Sequence, residues 1–398
     1  MNRKQVKRAA ARLQKDFDLK GTSRIRNLYM GGDPEFFFQN EDGDKKGAER
    51  VIGENGISSY GGTGVLDGFQ AEVRITPSTC RALIGNNITN FFKALKENMV
   101  ASGSDLVPDF SSVIKVDEAE LNSLSDAARE FGCAPSFSCH LTEKEAAITV
   151  DPATYNVRGA GGHIHLGTNH HGVTDYDELA DVMDVLLGNT CVLLDRDPMM
   201  PERRKVYGRA GEYRLPDHGF EYRVLSNFWL SAYPLMSFCF SLARYCVGIV
   251  EKEGKHVEAL MSVIDIDDIR KAINDNDYDL ALKNFNKVCI FLEAAQLDYT
   301  FRRPSGNKEK ISLEKQFLPT EANPFAIKFM GAFRFFAMMG MDHWFESNPF
   351  DHWLKKGDGN VYATGWESFS RKILMPEYRK WLRAGKPDVN TWKALKGE

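Results

Sequence analysis

Apolar and polar residues follow a strand-like spacing along the first part of the chain and a helical spacing along the second. Short strand-like runs, such as the aromatic run 36–38 and the alternating run 69–75, recur between residues 30 and 225. From Ser226 onward, apolar residues recur three and four positions apart for most of the remainder. This order predicts an α+β protein with a mainly helical C-terminal part.

Helical spacing also marks three segments within the strand-rich part. Apolar residues predict helices over about 78–101 and about 117–131, and a third helix that begins near Thr174. Glycine is frequent between residues 53 and 68, and we expect a flexible loop beside a site there. The most apolar segment, 228–250, is interrupted by Pro234 and Arg244, which favours a buried helix over a membrane span.

The composition is that of an ordinary globular protein. Of the 398 residues, 43% are hydrophobic and 27% are charged, and the net charge of -4 provides no basic field for nucleic acid. The seven cysteines form no C-x-x-C pair, which favours reduced thiols and a cytoplasmic location. The basic N-terminus lacks the apolar segment of a secretory signal, and we expect a solvated leader helix there.

Polar residues two positions apart mark five of the strand-like segments, and such residues lie on the same face of a strand. The pairs are Asp33 with Glu35, Glu72 with Arg74, His163 with His165, Glu212 with Arg214, and Glu221 with Arg223. One or two pairs are ordinary surface alternation, and an isolated His-x-His is as typical of two hydrogen-bonded histidines as of a metal site. Five pairs beside glycine-rich segments predict one wet sheet face that carries acids, imidazoles and guanidinium groups.

Carboxylates crowded on one face repel one another unless positive charge compensates them. The acids concerned are Asp33, Glu35, Glu72 and Glu221. Oxygen ligands with an added imidazole favour Mg²⁺, with Mn²⁺ as an alternative and Zn²⁺ behind both. Arginines would then face an anionic substrate, because guanidinium groups bind phosphate and carboxylate through paired hydrogen bonds. They are Arg74, Arg209, Arg214 and Arg223. Together these residues predict phosphoryl-transfer chemistry.

Three motifs, in this order, resemble the phage and bacterial carboxylate-amine ligases (amidoligases) of the glutamine synthetase and glutamate-cysteine ligase fold. They are Asp33-Pro34-Glu35-Phe36-Phe37, the Gly-Gly-His-Ile-His-Leu-Gly stretch 161–167, and Glu221-x-Arg223. The resemblance covers residues 30–230 and implies a curved, mostly antiparallel sheet flanked by helices. It implies an ATP-dependent, amide-forming ligase that uses several Mg²⁺ ions and an acyl phosphate intermediate. The implied divisions are a basic leader helix over 1–29, a catalytic domain over 30–250 and a helical extension over 251–398 packed on that domain.

The resemblance also implies roles for individual residues. The metal ligands would be Asp33, Glu35, Glu72, His163 and Glu221, although the strand of Glu72 offers one clear acid where glutamine synthetase uses two. Arg214 and Arg223 would steady the ATP phosphates and the reacting carboxylate, and Arg74 and Arg209 are expected at the anionic part of the substrate. His165 and Glu212 are candidates for the base that deprotonates the amine. A plain ion pair with a neighbouring arginine explains Glu212 equally well.

Two other functions fit the same residues. A metal-dependent hydrolase would use the acids and histidines to activate water, and a non-catalytic virion or scaffold protein would keep the fold without the reaction. For the ligase we expect small-molecule or peptide carboxylate and amine substrates, or a lysine of a protein substrate. We expect no nucleic-acid or membrane partner. An oligomer is compatible with the resemblance, and a phage-encoded protein would act in the host cytoplasm.

Overall fold

The structure is a computed structural model. It describes residues 3–19, 27–53, 55–130, 136–140, 145–146, 150, 155–251, 254–295, 300–302, 308–310, 327–345, 348–355 and 365–396.

The strands are short, and most lie in the first 222 residues. They are β1 (Met30–Gly32), β2 (Glu35–Gln39), β3 (Lys45–Lys46), β4 (Ile57–Ser59), β5 (Gly62–Asp67), β6 (Gln70–Ile75), β7 (Val107–Asp109), β8 (Val113–Lys115), β9 (Ser136–Ser138), β10 (Glu145–Ala146), β11 (Val157–Gly159), β12 (Ile164–Leu166), β13 (Glu212–Arg214), β14 (Phe220–Tyr222), β15 (Thr300–Arg302) and β16 (Lys308–Lys310).

Helices flank the strands and dominate the rest of the described chain. They are α1 (Arg3–Phe17), α2 (Arg81–Ser102), α3 (Glu118–Ser123), α4 (Asp126–Arg129), α5 (Tyr176–Met183), α6 (Asn189–Val192), α7 (Met200–Arg203), α8 (Tyr233–Val250), α9 (Lys255–Met261), α10 (Ile266–Asn274), α11 (Tyr278–Ala294), α12 (Ile327–Met339), α13 (Met341–Trp344), α14 (Pro349–Leu354), α15 (Gly365–Phe369), α16 (Met375–Arg383) and α17 (Val389–Lys396). A π-helical turn, Asp184–Gly188, joins α5 to α6.

Two antiparallel sheets meet where the chain passes from β1 to β2. One sheet has the order β1-β12-β14-β13-β9-β10; the other has the order β3-β2-β6-β5-β4, with β7 also paired to β2. Backbone hydrogen bonds between Met30 and Ser78, and from the Val73 amide to the Pro34 carbonyl, connect the two at this point. The result is a curled antiparallel surface with helices around it, and the predicted fold class is confirmed.

Two of the three predicted helices differ from expectation in detail. The continuous helix expected over about 117–131 is wrong: α3 and α4 are separate, because the Ser125 hydroxyl accepts a hydrogen bond from the Ala128 amide and starts a new helix. The third helix begins one residue later than expected at its cap, since Asp175 rather than Thr174 accepts from the Glu178 amide. Helix α2 lies close to its predicted range.

Within the glycine-rich segment 53–68, residues 57–67 form a β-hairpin and not the expected flexible loop. Strands β4 and β5 pair with each other, and β5 pairs along its full length with β6. Gly61 makes the turn with a φ of 104°, and Gly64 lies so close to α2 that an added Cβ would stand 2.4 Å from a ring carbon of Phe91. The glycines therefore allow a tight turn and close strand-on-helix packing.

One large hydrophobic core runs through the described chain, beside two smaller buried clusters. All 18 residues of α8 are buried within it, as predicted for the segment 228–250. Helix α8 is long and apolar enough to cross a membrane, yet the protein itself covers it completely. The expectation of a solvated leader helix is wrong for one face of α1, because Val6, Ala10 and Leu13 are buried in the same core and α1 packs against α11.

Substitution of Gly64 tests the hairpin's packing. We expect Gly64→Ala to lower the free energy of unfolding by about 1–3 kcal/mol, because Phe91 is fixed by Phe36 and Phe92 and cannot move aside. Gly53→Ala is the matched control, since an added Cβ there meets no atom within 4 Å. Urea unfolding midpoints measure the difference, and equal midpoints for the two variants would contradict the packing described.

Candidate active site

A cavity of about 1000 Å³ opens where the two sheets meet. Residues from both sheets line it, and most of its polar groups are charged or are imidazoles. These polar residues are Asp33, Asp67, Glu72, Arg74, His165, Asn169, His170, Arg214, His218 and Glu221. The cavity therefore brings together groups that lie up to 188 positions apart in the sequence.

Asp33 stands at the crossing between the sheets and contacts both histidines of the His-x-His pair. Its Oδ1 lies 3.2 Å from Nδ1 of His163, and its Oδ2 lies 3.2 Å from Nε2 of His165. Asp33 follows β1 and precedes Pro34, so the side chain leaves the backbone at the point where the chain changes sheets. The prediction that alternation places the two imidazoles on one face is confirmed.

The register of the strands places the imidazole of His165 beside its acidic neighbour Glu221. β12 lies between β1 and β14, and His165 is opposite Gly31 on one side and Glu221 on the other. The glycines before the histidines are needed for close approach: a Cβ on Gly161 would stand 2.6 Å from Nε2 of His163, and one on Gly162 would stand 2.2 Å from the Ser226 carbonyl oxygen. The groups that lie closest to these two glycines are thus the His163 side chain and the Ser226 backbone of the protein itself.

Two arginines form ion pairs with the Glu221 carboxylate. The Arg214 guanidinium grips its carboxylate through Nε and Nη2, at 2.9 and 2.8 Å, while Nε of Arg223 lies 3.4 Å from Oε1. Oε1 is also 3.6 Å from Nδ1 of His163. Arg214 lines the cavity, whereas the Arg223 side chain is 1% exposed and lies behind Glu221. Only the first of the two arginines faces the cavity directly.

Three further acids lie on the β2–β6–β5 side. Glu35 is opposite Glu72 in the register, and its Oε2 accepts hydrogen bonds from the Gly161 amide, the Gln70 amide group and the Tyr207 hydroxyl. Burial and the Asp67 charge raise the pKa of Glu35 to about 8. Burial and the charges of Asp33 and Asp67 raise the pKa of Glu72 to about 7, against the ion pair with Arg74 at 2.6 Å.

The imidazoles reverse this trend on the other side of the cavity. Burial alone would raise the pKa of Asp33, but the charges of His165 and His163 hold it well below its usual range. Burial would likewise raise the pKa of Glu221, and His163 and Arg214 lower it. Burial lowers the pKa of His163, whereas the pKa of His165 is raised because Asp33 outweighs the effect of burial. The site therefore contains carboxyl groups that stay charged, Asp33 and Glu221, next to carboxyl groups that hold a proton more readily, Glu35 and Glu72.

Five predicted site residues do not line the cavity: Glu35, His163 and Arg223, which are buried, and Arg209 and Glu212, which contact each other. Glu212 is fully buried and accepts hydrogen bonds from the Gly208 amide at 2.6 Å and from Nε of Arg209 at 2.7 Å. These contacts arise because the chain turns back at Gly208 and Gly211, both with a φ of 77°. Glu212 and Arg209 thus form a plain ion pair, the alternative to a catalytic role for Glu212. The prediction that all five polar pairs lie on one wet face is wrong for the pair Glu212 and Arg214, because Glu212 is buried.

Sequence reasoning missed two cavity residues that matter. Asp67 is the last residue of β5 and supplies the second acid that the strand of Glu72 lacks. Sequence reasoning missed it because it lies in the glycine-rich segment that was expected to be a loop. His218 donates to or accepts from Nδ1 of His165 through its Nε2, at 3.0 Å. Its only sequence signal is a position just before the Phe220–Tyr222 strand.

The residues present fit a divalent cation. Asp33, His165 and Glu221 each offer one ligand atom, and these atoms lie within 4.8 Å of one another. Among the described residues, Oδ1 of Asp33, both ring nitrogens of His163 and Nε2 of His165 are buried without a well-formed hydrogen bond. Buried polar atoms normally have partners, and a cation ligated by oxygen and imidazole would supply them here.

The fold and cavity thus define an α+β protein with an acidic, imidazole-rich and arginine-lined site. Residues 142–280 match the family model described as "Phage phiEco32-like COOH.NH2 ligase-type 2". The match supports a carboxylate-amine ligase family, and the predicted resemblance is confirmed over this region, which contains β12, β13 and β14. No curated protein compared with the chain matches it.

The raised pKa of Glu72 predicts a pH dependence of stability in EDTA. The native state holds this proton up to about pH 7, whereas the unfolded state releases it near 4.5, so stability falls as pH rises between these values. We expect Glu72→Gln to reduce that fall by roughly 1–3 kcal/mol. Urea unfolding at pH 5 and pH 8 measures it.

The control for that experiment is Glu118→Gln, at an exposed position on α3. It should leave the wild-type pH dependence unchanged. A Glu72→Gln variant with the full wild-type loss of stability between pH 5 and pH 8 would refute the electrostatic description of the site.

Proposed function

We propose that the protein is an ATP-dependent ligase that joins a carboxylate to an amine through an acyl phosphate. The observation that carries this proposal is the convergence of Asp33, Glu72, His165 and Glu221 with Arg74 and Arg214 on one cavity. The ligase family match supports the class of reaction. A reaction of this kind needs both positive charge for phosphates and a water-poor place for the activated acyl group.

The divalent cations would be held by the carboxylates and imidazoles around Asp33. From the sequence argument we assign this role to Asp33, Glu35, Glu72, His163 and Glu221. We add His165, whose ligand atom lies within 4.8 Å of those of Asp33 and Glu221, and Asp67, which lines the same cavity. When bound, Mg²⁺ neutralises the charge of the phosphate groups and favours their transfer. The raised pKa values of Glu35 and Glu72 reflect a surplus of negative charge that bound cations would relieve.

The cavity arginines would bind the anionic groups of both substrates. Arg214 binds Glu221 and also lines the cavity, so its guanidinium lies beside a phosphate or acyl phosphate bound there. Arg74 is paired with Glu72, yet its side chain is 66% exposed at the cavity wall. We assign Arg223 a positioning role, because it lies behind Glu221 and fixes that carboxylate.

The proposed reaction has two steps. An oxygen of the substrate carboxylate attacks the γ-phosphorus of ATP, the bond to the β-phosphate oxygen breaks, and ADP leaves an acyl phosphate behind. The amine then attacks the acyl carbon, the bond to phosphate breaks, and an amide and inorganic phosphate are released. The amine must lose a proton during the second step.

His218, whose imidazole is paired with that of His165, is our candidate for removing that proton in place of His165, which would ligate the cation. Both line the cavity and are 3.0 Å apart through Nδ1 and Nε2. Burial and the neighbouring His165 lower the pKa of His218, so its ring is largely neutral at pH 7 and can accept a proton. Glu212 is a poorer candidate, since its carboxylate is already bound by Gly208 and Arg209.

The experiment is ADP and phosphate release by the purified protein with Mg-ATP, screened against pools of amino acids and peptides, with mass spectrometry of the amide product. We expect release that requires both a carboxylate and an amine. Arg214→Gln should lower kcat/KM for ATP turnover by about 10²-fold, because a donor to the transferred phosphate is lost. Arg12→Gln, at an 85% exposed position on α1, is the control and should be unchanged.

Two outcomes would overturn the proposal. Product formed equally without ATP would indicate a hydrolase, and metal binding with no turnover in any pool would indicate a non-catalytic role. Equal activity of Arg214→Gln and Arg12→Gln would reject the role assigned to Arg214 and leave the rest of the proposal standing.

A further inference from the structure

A second group of metal-ligating side chains lies outside the cavity. Cys139 and His140 follow β9, and Asp181 lies on α5. Asp184 begins the π-helical turn after α5. The polar residues that line the cavity include none of these four, so the group is separate from the site already described.

The group occupies the opposite face of the sheet from the cavity. Glu221 faces the cavity, and the next residue, Tyr222, points the other way and donates a hydrogen bond to Oδ1 of Asp184 at 2.6 Å. Arg214 and Tyr213 alternate in the same manner, and the Tyr213 hydroxyl donates to Asp177 of α5. The sheet therefore stands between the two groups.

The three donor atoms of Cys139, His140 and Asp181 form a nearly equilateral triangle. Sγ of Cys139 lies 3.5 Å from Nε2 of His140 and 3.6 Å from Oδ1 of Asp181, and those two atoms are 3.6 Å apart. Metal-ligand bonds of about 2.0 Å to nitrogen and oxygen and about 2.3 Å to sulfur place tetrahedral donors about 3.3–3.6 Å apart. The observed separations match one face of such a tetrahedron.

The surroundings hold this triangle in place. A Cβ on Gly211 would stand 2.4 Å from the His140 ring and 2.7 Å from Sγ of Cys139, so only glycine leaves room for the two side chains here. Oδ2 of Asp184 lies 3.3 Å from Nε2 of His140, and its other oxygen is fixed by Tyr222. Asp184 and Asp181 thus each place a carboxylate oxygen beside the same ring nitrogen, and negative charge at this point favours a cation.

We propose that Cys139, His140 and Asp181 bind one divalent transition-metal ion of the zinc type, with the Asp184 carboxylate beside the ligating nitrogen of His140. A thiolate, an imidazole and a carboxylate suit zinc better than magnesium, whose ligands are oxygen atoms. The Asp181 side chain is 31% exposed, which leaves a path for the ion and a position for water. Binding displaces the thiol proton to solvent.

An activated cysteine nucleophile is the other chemistry such a group suggests, and the charges oppose it. Burial and the nearby carboxylates of Asp184 and Asp181 raise the pKa of the Cys139 thiol, whereas a nucleophilic cysteine needs a lowered one. A bound cation would offset the same two carboxylates.

The test is titration of the full-length, chelator-treated protein with Co²⁺, which takes tetrahedral zinc sites and reports on its ligands by absorbance. We expect one equivalent of Co²⁺ to give a thiolate-to-cobalt charge-transfer band and the visible bands of four-coordinate cobalt, and Zn²⁺ to abolish both. The band should disappear in Cys139→Ser. It should persist in Cys80→Ser, an exposed thiol elsewhere, and in Glu221→Gln, at the other site.

Asp184→Asn keeps the proposal testable if Cys139→Ser does not fold. It should bind Co²⁺ about 10–100-fold more weakly than wild type while circular dichroism shows a folded protein. No charge-transfer band in the wild-type protein, or a band unchanged in folded Cys139→Ser, would overturn the proposal.

Discussion

The contact of one buried carboxylate with two imidazoles determines how the site is built. Asp33 lies where the chain leaves one sheet for the other, and its two oxygens reach His163 and His165, each at 3.2 Å. This geometry requires β1, β12 and β14 to be adjacent in that order, and it requires glycines at 161 and 162 to let the segments approach. The curled surface and the polar cavity are thus consequences of the same arrangement.

Electrostatics gives the cavity two unlike sides. Near the imidazoles and Arg214, the pKa values of Asp33 and Glu221 are lowered and the carboxylates remain charged. Across the cavity, Glu35, Asp67 and Glu72 are buried near one another and their pKa values are raised. Ionised together, these three acids would repel one another, and that repulsion is the physical reason to expect divalent cations there.

Much of the site was predictable because strand alternation is a local rule. His163, His165, Glu72 and Glu221 were identified from two-residue spacing, and the structure brings them together with Asp33. Asp67 was not identified because its strand is glycine-rich, and glycine patterns do not distinguish a loop from a hairpin packed against a helix. Glu212 shares the spacing but not the cavity, since two turns with positive φ at Gly208 and Gly211 direct it to Arg209. Glu212 and Arg214 both belong to β13, so spacing alone does not predict which side chain on a strand reaches the cavity and which is covered by a neighbouring turn.

The most direct measurement of the central claim is an anomalous-scattering crystal structure with Mn²⁺ and a non-hydrolysable ATP analogue. The account predicts manganese between Asp33, His165 and Glu221, with the triphosphate in the same cavity on the side of Arg214. Manganese or triphosphate bound elsewhere, with this cavity filled only by water, would contradict it.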